Sequence, residues 1–224
     1  MQTSMKRITA LAIVACAGIA CRTAAPPAQA PAQAPAASRV VQPGAPGEPS
    51  RTVAAADAPV FAITHTPADV AFMQGMIGHH AQAVEMTDLL ETRTTSDDMK
   101  LLALRIEVSQ NDEIRFMQRW LASRGESVPV PGPHAHHAPG ATLMPGMLSA
   151  ADMARLTAAR GVDFDKLFLE YMIRHHQGAL VMVDELFASD GAGQEGDIHA
   201  FASDVVADQQ MEIDRMSGML RGMQ

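Results

Sequence analysis

The chain has 224 residues, a net charge of −8 at neutral pH and only two cysteines. The acidic balance argues against nucleic acid and anionic lipid surfaces as partners held by charge, and leaves cations as admissible ones. Both cysteines, Cys16 and Cys21, lie at the extreme N-terminus, so the rest of the chain has neither a disulfide nor a thiolate to offer a metal.

Met1 to Ala20 reads as a secretory signal peptide of lipoprotein type: Lys6 and Arg7 precede the apolar run Ile8 to Ala20, which is too short to span a bilayer. The run ends in "AGIAC", which makes Cys21 the expected lipidated residue, with "IVAC" ending at Cys16 as a competing site. Loss of Lys6 and Arg7 leaves 15 basic against 25 acidic residues, a net charge of −10. Residues 21–62, including "APPAQAPAQAPAASRVVQPGAPGEPS", are rich in Ala, Pro and Gln, a composition that buries no core and reads as a disordered tether. The expected location is therefore extracytoplasmic, in the periplasm or at the cell surface, with a membrane contacted only through the lipid anchor at Cys21. Residues 63–224 are long enough for one core.

That domain is an internal repeat. A shift of 96 positions superposes Asp69, Phe72, Met76, His79, His80, Ala83, Met86 and Asp88 on Asp165, Phe168, Met172, His175, His176, Ala179, Met182 and Asp184. A shift of 99 then superposes Gln110, Glu113, Ile114 and Met117 on Gln209, Glu212, Ile213 and Met216. Each half, 64–125 and 149–224, is a histidine helix followed by a glutamine-glutamate helix, with a connector at 126–148.

Helix-end signals agree. Thr66, Pro67 and Asp69 form a helix start, Ser96 with Asp97 and Asp98 a second, and Ser149 with Asp152 a third that stops at Gly161. Gly125 and Gly191 stand just past helix ends. These signals predict an all-α fold, a four-helix bundle of two repeated hairpins with helices near 67–92, 97–124, 163–189 and 197–222, plus a short connecting helix near 150–160.

On the 3.6-residue period both histidines of each pair fall on the buried face: Phe72, Met76, His79, Ala83 and Met86 form one stripe, and Met73, Ile77, His80 and Val84 its neighbour. Met172, His175, His176 and Met182 repeat the pattern, and Gln110, Glu113 and Met117 share a face with their counterparts Gln209, Glu212 and Met216. One core histidine is usually a hydrogen-bonded structural residue; four in duplicated pairs are costly to bury without a compensating partner. A single core methionine is ordinarily filler. Met76 and Met172 carry more weight, since each precedes its histidines by one helical turn on the same face. Glu113 and Glu212 read as acceptors that orient the imidazoles, with direct metal ligation as the alternative, whereas Asp88 and Asp184 read as exposed charges. In the connector, His134, His136 and His137 with Met144 and Met147 form a His-rich tract suited to capturing a metal, or else a plain solvated loop.

Ligand softness narrows the metal. A di-iron site needs several carboxylates and a Glu-x-x-His pair on each of two helices, but here Met stands three residues before His79 and His175. Thioether with imidazole suits Cu(I), and by the same softness Ag(I); imidazole alone accepts Cu(II) or Zn(II).

The segments "FMQGMIGHHAQAVEM", "MPGMLSAADMARL" and "FDKLFLEYMIRHHQGALVM" resemble the domain-of-unknown-function family numbered 305, over essentially Thr64 to Gln224. The resemblance implies a ferritin-like helical fold and kinship with extracytoplasmic, CopM-like copper-binding proteins. It also implies Met76, His79, His80, Met86, Met172, His175, His176 and Met182 as the metal ligands. The expected protein binds a copper ion to sequester it, resist it or hand it to another copper-handling protein, and is not an enzyme. The alternatives are a His/carboxylate iron oxidase with Glu113 and Glu212 as ligands, and a structural bundle whose histidines bond those glutamates.

Overall fold

The computed structural model describes residues 38–42, 44, 46–55, 64–130 and 143–223. Residues Met1–Val60 and Phe61–Gln224 form separate units. The expected signal peptide and Cys21 lie outside the described residues.

In the first unit, β1 (Arg39–Gln42) and β2 (Arg51–Ala54) pair antiparallel, with Val40 opposite Val53 and Val41 opposite Thr52. The tether reading contained no strands. The difference comes from two four-residue stretches, "RVVQ" and "RTVA", whose β-branched residues favour extended backbone, and which are too short to show alternation.

The second unit is helical, as expected: α1 (Pro67–Asp88), α2 (Leu90–Arg93), α3 (Asp97–Ser123), α4 (Ala150–Ala158), α5 (Gly161–Ala188) and α6 (Gly196–Gly222). Thr66 caps α1 through a reciprocal box, its hydroxyl accepting from the Asp69 amide (3.2 Å) while Asp69 accepts from the Thr66 amide (2.7 Å). The other Asp69 oxygen accepts from the Gly193 amide (2.7 Å), which ties the start of α1 to the turn between α5 and α6. Ser149 and Asp152 build the same box on α4, and Ser96 caps α3.

Two boundaries differ from the sequence pattern. The first helix breaks at Leu89, where the Thr87 hydroxyl donates back to the Val84 carbonyl (2.8 Å) and the Leu89 amide takes the tighter i−3 bond to Met86. Gly161 does not stop the short helix; Ala159 and Arg160 are already extended, and Gly161, at φ 57°, opens α5.

The histidine helices α1 and α5 pack on each other, α3 packs on α1, and α6 on α5. The apolar core forms two separate clusters. One gathers Phe72, Met76, Met117, Trp120, Met182 and Phe201; the other gathers Met86, Leu102, Phe164, Phe168, Met172 and Met216. On every long helix the residues between the two clusters are the polar ones: His79 and His80 on α1, Gln110 and Glu113 on α3, His175 and His176 on α5, Gln209 and Glu212 on α6. A polar slab thus crosses the bundle between two greasy halves.

Candidate functional site

The slab carries the repeat's pseudo-twofold geometry. His79 and His175, the first histidine of each pair, meet where α1 and α5 cross, with ring centroids 3.9 Å apart and planes tilted by 36°. The second histidines point away from this contact: centroids lie 6.4 Å apart for His79–His80 and 6.2 Å for His175–His176. Each outer imidazole finds the glutamate of its own hairpin. His80 Nε2 donates to the Glu113 carboxylate, and His176 Nε2 donates to Glu212 Oε2 at 2.7 Å. Glu113 and Glu212 thus each accept from one outer imidazole, while Asp88 and Asp184 are exposed.

All four histidines are at most 1% exposed. His175 titrates well below the ordinary imidazole range, chiefly because burial removes solvent from the charged form and secondarily because His79, His176 and His80 surround it. It is a neutral imidazole at neutral pH. Most buried polar atoms that lack hydrogen-bond partners among the described residues lie in the slab: His80 Nδ1, His176 Nδ1, His175 Nε2, both amide atoms of Gln110, and Gln209 Oε1, with Asp165 Oδ1 outside it. Such atoms are rare in packed interiors and each is costly. Neutral imidazoles with an uncommitted ring nitrogen are metal-ligand chemistry, and the carboxylate on the opposite nitrogen fixes the tautomer that leaves Nδ1 as a lone pair.

The thioethers flank the slab. Met76, Met86, Met172, Met117 and Met216 are fully buried, and Met182 nearly so. Among the described residues no group of three or more His, Cys, Asp or Glu is placed to hold a metal ion.

Glu113 also lines a groove of about 570 Å³ between α3 and α6, shared with Phe116, Phe201, Asp204 and Asp208. The Asp208 carboxyl is pushed up, first by burial and then by the neighbouring Glu113, Glu212 and Asp204 charges. An acidic groove thus leads from solvent to the glutamate that holds His80.

The chain entering α4 closes the other side of the slab. His79 Nε2 donates to the Pro145 carbonyl (3.0 Å), and the Gln82 side chain makes a reciprocal pair with the Leu148 backbone, donating to its oxygen (3.0 Å) and accepting from its amide (2.7 Å). The sequence grouped Met144 and Met147 with His134, His136 and His137 in one open loop. Instead Met147 is buried and Met144 half-buried in this packed segment, while the three histidines lie outside the described residues. The reason is a packing partner invisible locally: Gly178 lets the Pro145-Gly146 turn approach α5 so closely that a Cβ at Gly178 would sit 2.0 Å from the Pro145 oxygen.

Gln82 and Gly178 were not singled out by the sequence reading. Their signal is a break in the repeat, because a shift of 96 sets Gln82 against Gly178 between the matching pairs His80/His176 and Ala83/Ala179. The return segment also explains why the inner histidines differ: His79 bonds Pro145, whereas Nε2 of its counterpart His175 has no hydrogen-bond partner among the described residues.

The profile of the family described as domain of unknown function (DUF305) matches residues 69–220. A DUF305 fragment from Deinococcus radiodurans has 32% identity and a TM-score of 0.59, covering 70% of this chain and 97% of its own. A DUF305 protein from Streptomyces coelicolor, named as secreted, has 28% identity and a TM-score of 0.60, covering 70% and 92%. CopM in a Cu(II)-bound form has 25% identity and a TM-score of 0.56, covering 70% and 97%. Among curated proteins nothing matches the sequence.

Proposed function

Since the chain belongs to the family described as domain of unknown function (DUF305), whose description assigns no activity, we propose from its own residues that it is an extracytoplasmic copper-binding protein. The observation that carries this is the slab: four buried imidazoles between methionine-rich halves, with unsatisfied ring nitrogens on His80, His175 and His176. The proposed ligands are His79, His80, His175 and His176 with Met76, Met86 and Met172, Glu113 and Glu212 orienting the outer imidazoles through the hydrogen bonds described. Mixed thioether and imidazole donors favour Cu(I), with Ag(I) as its soft mimic, over iron or zinc. The likeness to CopM in its Cu(II)-bound form supports copper as the metal. Export is supported by the apolar leader after Lys6 and Arg7 and by the secreted relative, with Cys21 as the proposed lipid anchor. The role that follows is sequestration or hand-over of the ion, with no reaction assigned.

A second reading, a structural bundle, draws on the same hydrogen bonds, since Glu113 and Glu212 already engage two of the four imidazoles. Anaerobic competition for Cu(I) against a coloured chelator separates the two, using the wild type and a variant with His79, His80, His175 and His176 each replaced by Gln. Copper binding predicts tight uptake in the wild type and its loss in a variant that still folds. Equal, weak uptake in both, with a lowered melting temperature in the variant, leaves only the structural role.

A further inference from the structure

The two halves of the repeat diverge where the return segment crosses them, and one divergence opens a site. The counterpart of Gly75 under the 96-residue shift is Tyr171. Tyr171 fills its own position: it is 7% exposed, its hydroxyl donates to Asp152 (3.2 Å), and the Arg174 guanidinium stacks 4.8 Å from its ring. Gly75 leaves the matching space open. A groove of about 290 Å³ lies there, bordered by Gly75 and Phe72 of α1, Met182 and Glu185 of α5, and Met144 with Pro145 of the return segment.

Two thioethers converge on it. A Cβ at Gly75 would meet Met144 Sδ at 3.4 Å and Met182 Cε at 3.5 Å. The counterpart of Met182 is Met86, which is wholly buried in the opposite apolar cluster, so only one half of the repeat presents this pair. Met144 is anchored rather than loose, because the residue after it accepts from His79 and Leu148 is clamped by Gln82. Thioether sulfur is a poor acceptor for hard cations and a good ligand for soft monovalent ones. The adjacent Glu185 adds negative charge at the mouth.

We propose that Met144 and Met182 form a second soft-metal site at the Gly75 groove, distinct from the buried imidazoles and open to solvent, taking Cu(I) or Ag(I). This rests on the soft-metal reading above, but it moves Met182 out of the histidine set and Met144 out of the histidine-rich connector. An ion held here is one side-chain layer from His79, since Pro145 lies between Met144 and that imidazole's hydrogen bond. The groove is therefore the point at which a soft ion is first captured or finally released.

The test is an Ag(I) titration of the full chain carrying 13C-methyl methionine, read by methyl NMR. The Met144 and Met182 resonances are assigned from Met144→Leu and Met182→Leu. The expected result is that these two methyls shift together in the wild type and shift equally in a variant with His80, His175 and His176 each replaced by Gln, His79 being kept because it anchors the Pro145 carbonyl. Each single Leu variant weakens this site by about tenfold or more, as loss of one of two thioether ligands requires. Gly75→Leu, which keeps both sulfurs but fills the groove as Tyr171 does in the second half, abolishes the paired shift. Silver binding that leaves both methyls unshifted overturns the site while sparing the histidine reading. Shifts that disappear in this triple variant show one shared centre and overturn the site's independence. Absence of any silver or Cu(I) binding overturns both.

Discussion

At Gly178, helix propensity and tertiary packing predict opposite signs for the same substitution. Replacing a glycine inside a helix by alanine ordinarily stabilises by about 1 kcal/mol. At Gly178 the new Cβ would lie 2.0 Å from the Pro145 oxygen, 2.3 Å from its carbonyl carbon and 2.6 Å from Gly146 Cα. All three are backbone atoms, so no rotamer change relieves the overlap, and the return segment must withdraw from α5. Its withdrawal strains the His79–Pro145 bond and the two bonds between Gln82 and Leu148. Overpacking costs about 1–3 kcal/mol, and a buried hydrogen-bonding group left unpaired about 1–3 more. Against the helix gain, the net loss for Gly178→Ala is near 3 kcal/mol, which lowers the melting temperature of a domain this size by about 6–12 °C. Gly218→Ala on α6 is the control, because a Cβ there meets nothing closer than an Arg221 nitrogen at 3.9 Å, and it is expected to gain about 0.5–1 kcal/mol. Urea unfolding of both variants, followed by circular dichroism, decides the matter. A Gly178→Ala protein as stable as the wild type, alongside a stabilised Gly218→Ala, would refute the close approach.

Three further outcomes are expected. Because burial depresses His175 below its unfolded value, the unfolded chain binds its proton first as pH falls, so stability is intact above the unfolded pKa and declines below it. Lowering pH from 7.5 to 5.5 therefore lowers the stability of the metal-free protein through this group, and His175→Gln removes that part of the slope in urea midpoints measured across the range. Glu212 is 4% exposed and Glu113 14%, so Glu212→Ala, which strands its imidazole in the drier setting, lowers the melting temperature more than Glu113→Ala; equal losses would contradict the burial difference. Gln82→Leu leaves the Leu148 amide and carbonyl unpaired and costs about 2–4 kcal/mol by urea unfolding, whereas an effect below 1 kcal/mol would show that water replaces the clamp.

Much of the molecule is legible in linear order, because the helix period and capping chemistry are local. Thr66, Asp69, Ser96, Ser149 and Asp152 perform the capping expected of them, and the four long helices fall within a few residues of the pattern. Burial of His79, His80, His175 and His176 follows from the same period, and so do their glutamate partners once the hairpin repeat is recognised. The hairpin of β1 and β2 escaped notice because four-residue strands carry too little pattern. The placement of Met144 and Met147 escaped it for a different reason. Their stretch is rich in proline and glycine and looks solvated, yet it docks on helices remote in sequence.

By itself, the sequence determined that there are two copies of a histidine helix and a glutamate helix, and which face of each is buried, since periodicity and capping act within a few residues of chain. Only the tertiary structure decided that His79 and His175 meet while His80 and His176 diverge, and that Met144 and Met182 both come up against Gly75. Those outcomes depend on how two helices cross and on whether a residue far along the chain is Gly178 or a larger one. Close packing is a relation between surfaces, and no local pattern in the chain encodes it.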